Sequence, residues 1–151
     1  MSAFEASTSY EATHPSALAM YCSDGRFTNA VEELLQSIGY DRLDTLTMPG
    51  GPGLLGHLTA SALETQVAIN AASFLIKGHS IRDVYLLAHA GCGYYRKKRT
   101  KDSPEQIRAC QLDDLKSAGR SLREVKPDLG VHLYYAQPHD GVITFESVDF
   151  T

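Results

Sequence analysis

The sequence predicts an α/β protein: a four-stranded parallel sheet with an antiparallel C-terminal edge strand and helices on both faces. Three observations predict it. Short apolar runs, Ala17-Leu-Ala-Met-Tyr-Cys22 and Asp83-Val-Tyr-Leu-Leu-Ala-His89, read as buried strands. Segments with helical start and stop signals lie between the strand-like runs, and that alternation favours a parallel sheet covered on both sides. Asp140-Gly141 separates two late strand-like runs and signals a hairpin, which adds an antiparallel edge.

Residues 1–16 are rich in Ser, Thr, Ala and Glu and read as a loose arm with room for a short helix; residues 17–151 read as one domain. After the first strand, Ser23–Arg26 forms a turn. Asn29 with Glu32 has capping-box spacing, Val31, Leu34, Leu35 and Ile38 share a face, and Gly39 stops the helix. Arg42–Met48 alternates as a second strand, and Pro49-Gly-Gly-Pro-Gly53 reads as a flexible turn. Ser61 and Glu64 form a second capping box, opening a helix that carries Leu63, Val67, Phe74 and Leu75 and ends at Gly78. Ser103, Pro104 and Gln106 mark the next helix start, with Pro at the first helical position; that helix stops before Pro127. Val131–Ala136 and Val142–Val148 are the last strands.

A length of 151 residues fits one domain with a substantial core. A net charge of −4 argues against a general nucleic-acid binder. No apolar run is long enough for a membrane helix, and the polar start lacks the pattern of a secretory signal, so a cytoplasmic location is expected. The odd count of three cysteines in a reducing compartment leaves metal binding, catalysis or burial as their uses.

Two segments carry the chemistry: Cys22-Ser-Asp24-Gly-Arg26 and His89-Ala-Gly-Cys92-Gly93. Each sits at the carboxyl end of an expected strand, where open α/β sheets bind ligands. Two cysteines and a histidine are a nitrogen-and-sulfur set suited to Zn²⁺, and three protein ligands leave a fourth position open. Asp24 and Arg26 share one tight turn and can pair as carboxylate and guanidinium. Asp24 can then orient a water at the metal or, released, close the fourth position.

The two motifs in this order resemble the β-class carbonic anhydrases, which pair a Cys-x-Asp-x-Arg turn with a downstream His-x-x-Cys turn. The resemblance extends over about Ala17–Val148, through Ser61-Ala-Leu-Glu64 before the second motif and Leu129-Gly-Val-His-Leu-Tyr-Tyr135 before Asp140-Gly141. It implies a β-carbonic-anhydrase-like fold, Cys22, His89 and Cys92 as zinc ligands, and Asp24 and Arg26 as the supporting catalytic pair. It further implies a zinc lyase that hydrates CO2 reversibly to bicarbonate through zinc-bound hydroxide, working as a homodimer or larger homo-oligomer. A histidine often sheds the proton, with His57 and His139 as unassigned candidates.

The chain departs from that family at Gly25, where Ser is frequent, and at Met48-Pro49-Gly50-Gly51, where Arg-Asn-Ala-Gly is usual. The altered pocket brings in two alternatives, a zinc hydrolase of COS or CS2 and a non-catalytic zinc-binding relative. Of the remaining features, Cys110 sits mid-helix and reads as core. Arg96–Arg99 with Lys101 reads as a solvated basic face, with an anionic partner or a neighbouring subunit as the functional option. Tyr94 and Tyr95 fit a pocket mouth, a subunit contact or ordinary packing. His14, His79 and His132 read as structural or surface groups.

Overall fold

The structure, a computed structural model, describes residues 2–151; Met1, at the start of the expected arm, lies outside the described residues. In chain order, strand β1 (Ala17–Cys22), helix α1 (Thr28–Ile38) and strand β2 (Asp44–Met48) come first. A short 3-10 turn (Gly51–Leu55) leads to helix α2 (Ala62–Gly78) and strand β3 (Asp83–His89). Helices α3 (Gly93–Lys98) and α4 (Pro104–Val125) follow, then strands β4 (Gly130–His139) and β5 (Val142–Val148). The five-stranded sheet runs β2-β1-β3-β4-β5. Its first four strands are parallel, and β5 pairs antiparallel with β4.

Alternation along the central strands builds two cores. Leu18 and Met20 of β1 and Val84 and Leu86 of β3 face Ala68, Ala72 and Ile76 of α2 and Leu115, Ala118 and Leu122 of α4. Ala17, Ala19 and Tyr21 with Tyr85 and Leu87 face Val31 and Leu35 of α1. Every residue of β1 is buried, as expected for a central strand covered on both sides. The β4–β5 hairpin turns through Asp140 (φ 48°) and Gly141 (φ 76°), the left-handed pair that matches strand twist.

Three local expectations are corrected. Helix α1 begins at Thr28, and its N-cap, Phe27, makes no side-chain cap bond. Asn29 is therefore already inside the helix, and the Asn29/Glu32 box does not form. On α2 the buried face is Ala68, Ala72 and Ile76, while Leu63, Val67 and Phe74 stand exposed. Small residues let α2 approach the 3-10 turn and α4 closely, so the larger side chains point outward. The glycine-rich segment after β2 is not a loose turn: Gly50 to Gly56 is buried throughout. A Cβ on Gly51 (φ +52°) would lie 2.7 Å from the backbone nitrogen of Cys22, so only glycine allows this approach.

The capping boxes at Ser61/Glu64 and Ser103/Gln106 both form, with reciprocal hydrogen bonds. Residues 2–16 contain no helix or strand. The later part of this segment touches the body: Arg42 donates to the Thr13 carbonyl, and the His14 ring stacks on His79 at 3.8 Å. Among the described residues, no helix is long and apolar enough to cross a membrane.

Candidate metal centre

Neighbouring parallel strands end at the same edge of a sheet, which is why Cys22 and His89, the last residues of β1 and β3, come together. A turn through Ala90 and Gly91 (φ +69°) then places Cys92 as N-cap of α3. All three side chains are buried, and their ligand atoms lie within 4.8 Å of one another. The Cys22 and Cys92 sulfurs are 3.9 Å apart. A disulfide needs about 2.05 Å. Two thiolates at the usual zinc–sulfur distance of about 2.3 Å, in a tetrahedron, stand about 3.8 Å apart.

The histidine supplies the second test of fit. His89 Nδ1 donates to the Ala90 carbonyl at 2.8 Å, which leaves Nε2 with the lone pair. Nε2 is buried and has no hydrogen-bond partner. An orphaned buried acceptor between two thiols is costly unless a cation occupies the space. The donor set and its spacing therefore fit zinc. The hydrogen bond from Cys92 pushes the Cys22 thiol down, and the same contact, with burial, pushes Cys92 up.

Asp24 stands beside this group, its Oδ2 4.0 Å from His89 Nε2. Arg26 holds both carboxylate oxygens, through Nε at 3.0 and 3.1 Å and Nη2 at 2.6 Å, and its backbone N–H adds a bond at 3.1 Å. Hydrogen bonding by Arg26 lowers the Asp24 carboxyl to about 2. Phe27, next along, packs its ring 4.2 Å from the His89 ring.

Two buried polar residues on α4 had no role in the sequence reading. Gln111 donates from Nε2 to the His89 carbonyl at 2.9 Å and accepts from Tyr135 through Oε1. Asp114, fully buried, accepts from the Tyr95 hydroxyl at 2.8 Å and from the Leu58 N–H at 3.2 Å. Burial raises the Asp114 carboxyl. Their signal is present in the sequence: both sit on the apolar stripe formed by Ile107, Leu115, Ala118 and Leu122.

The other singled-out residues do not join the centre. Cys110 is buried on α4 against Thr59 and Asp114. The Tyr94 hydroxyl donates to Glu64, which also holds Lys98. His79 pairs with Asp44 and His132 with Asp83. His57 and His139 are exposed, the latter beside Asp140.

No family model matches the sequence. No curated protein matches it either. Solved structures do match. A β-carbonic anhydrase from Trichomonas vaginalis superposes with a TM-score of 0.56 at 18% identity, over 93% of this chain and 87% of that one. A carbonic anhydrase from Streptococcus mutans gives 0.60 at 13% identity, over 94% and 87%. A structure of tetrameric β-carbonic anhydrases from Sordaria macrospora gives 0.53 at 14% identity, over 88% and 81%. The chain is similar to these proteins across nearly its whole length, and its fold is that of the β-carbonic anhydrases.

Proposed function

We propose that this chain is a zinc-dependent carbonic anhydrase, a lyase that hydrates CO2 reversibly to bicarbonate. One observation carries the reading: a buried, unpartnered His89 Nε2 between Cys22 and Cys92, flanked by a carboxylate that Arg26 holds in place. Zinc bound by those three residues would supply a Lewis acid that brings the pKa of water close to 7.

The chain's own residues do the rest. Arg26 fixes both oxygens of Asp24 and keeps the carboxylate ionised, so Asp24 accepts a hydrogen bond from the reacting water and orients it. The Ala90 carbonyl keeps the proton on His89 Nδ1. Phe27 covers the imidazole face and keeps bulk water off it. Asp24, whose Oδ2 lies 4.0 Å from His89 Nε2, would be the residue to complete the donor set if it were freed from Arg26.

The glycine-rich segment favours a second reading. Gly50 and Gly51 press directly against Tyr94 and the Tyr21–Cys22 backbone and offer no side chain to a pocket wall. A pocket altered in this way suits hydrolysis of COS or CS2 on the same metal. Assembly into a homodimer or larger oligomer is supported by the tetrameric β-carbonic anhydrases of similar fold and by the exposed Leu63, Val67 and Phe74 on α2. We further read residues 17–151 as one zinc-binding unit behind an arm of residues 1–16, in a cytoplasmic protein.

Stopped-flow CO2 hydration on protein carrying one zinc per chain tests the function. The expected result is a zinc-dependent rate that Asp24→Ala lowers about 100-fold while the metal stays bound. Cys92→Ser should instead lose the zinc. Full zinc with no CO2 hydration would sink the first reading, and turnover of COS or CS2 would then establish the second.

A further inference from the structure

Behind the Cys92 turn lies a cavity of about 910 Å³, walled on one side by the Gly91–Gly93 backbone. Of the metal-centre residues Cys92 alone lines it, while Cys22, Asp24, Arg26 and His89 do not, so most of the cavity faces away from the metal centre. It is far too large for CO2 and falls within the roughly 300–1,000 Å³ typical of small-molecule sites.

Its charge is unusual for this molecule. Arg96, Lys97, Arg99 and Arg108 line it against only Asp102 and Glu105, in a chain of net charge −4. Two of the four cations are already engaged. Arg99 pairs with Asp102, while Arg108 pairs with Glu146 and lies over the buried Tyr135 ring at 4.9 Å. Among the described residues, no carboxylate pairs with Arg96 or Lys97. Both stand exposed on one turn of α3. Ile107 and Pro104 add an apolar wall.

We propose that this cavity binds a phosphomonoester with a small apolar body. The dianionic head neutralises Arg96 and Lys97 together, whereas a single carboxylate would leave one cation bare. The Arg108 guanidinium, held over the Tyr135 ring, offers further phosphate-directed N–H groups. The body of the ligand lies on Ile107 and Pro104. An acidic chain rules against a nucleic-acid strand, and a cavity bounded by α3, α4 and the end of β4 has the size of a small-molecule site. The site does not depend on the zinc reading, since the cations and apolar residues proposed to hold the ligand include none of the metal-centre residues, although Cys92 and Gln111 adjoin both.

Calorimetric titration of the full chain with phenyl phosphate, and separately with inorganic phosphate, tests this. One site per chain is expected, with inorganic phosphate about tenfold weaker because it forgoes the apolar wall. The double variant Arg96→Ala/Lys97→Ala should bind phenyl phosphate at least about tenfold more weakly, at unchanged melting temperature and metal content. Amide NMR shifts should concentrate at Gly91, Gly93 and Arg96. Absence of binding at millimolar phenyl phosphate, unchanged affinity in the double variant, or shifts centred on Gly25 and Arg26 would each overturn the proposal.

Discussion

At the residue scale, the centre depends on groups that never touch the expected metal. The backbone carbonyl of His89 is pinned by Gln111, and the hydroxyl of Tyr135 orients Gln111 in turn. Replacing Gln111 with Leu keeps the volume roughly constant but leaves a buried carbonyl unsatisfied. The expected cost is about 1–3 kcal/mol in urea unfolding. Zinc affinity, measured by chelator competition, should fall about tenfold, as for other outer-shell partners of metal ligands. Unchanged zinc affinity would make Gln111 a packing residue only. The gathering of Cys22, His89 and Cys92 with the Asp24–Arg26 pair beside them was legible in the sequence because each motif is short and its geometry local. Gln111 and Asp114 were not, because a polar residue on an apolar stripe declares burial without naming its partner. Phe27 escaped for a similar reason: its contact with His89 joins the N-cap of α1 to the end of β3, which only the sheet brings together.

Among the elements, strands and two of the three expected capping boxes read well, and faces read less well. Ser61/Glu64 and Ser103/Gln106 fix their helices by bonds within one turn, so sequence spacing suffices. Which side of α2 is buried depends on how closely its neighbours approach, and there alanines outcompete Leu63 and Phe74. The segment after β2 shows the same effect more sharply. Its glycines suggested flexibility; they serve close contact with β1 and α3. Gly51→Ala combines a left-handed φ with a clash against the Cys22 backbone. It should destabilise the fold by at least about 1–3 kcal/mol, read from thermal or denaturant unfolding. The shift should also reach Cys22, so zinc stoichiometry is expected to drop. A variant of unchanged stability would show that the turn is loosely held.

For the whole molecule, alternation of strand and helix was enough to give the parallel sheet, because each crossover obeys general packing rules, and the Asp140-Gly141 turn gave its antiparallel edge. The order of strands places β1 and β3 side by side although α1, β2 and α2 lie between them in sequence. That placement has a kinetic consequence. The β4–β5 hairpin closes through a two-residue turn and can form within about 10 µs. The two sulfurs, by contrast, come from positions 70 apart in the chain and meet only after the central pairing is complete. A metal ion would therefore find its three donors late, and the expectation is that it does so after the rate-limiting step of folding. Zinc should leave the refolding rate nearly unchanged and slow unfolding, by an amount set by its binding energy. Stopped-flow refolding and unfolding with and without zinc would show this as a shift of the unfolding limb alone; an equal acceleration of refolding would mean that the donors gather early. In a cell, such a chain would acquire zinc as a finished protein, and occupancy would then report on the longevity of the folded state rather than on how it was made.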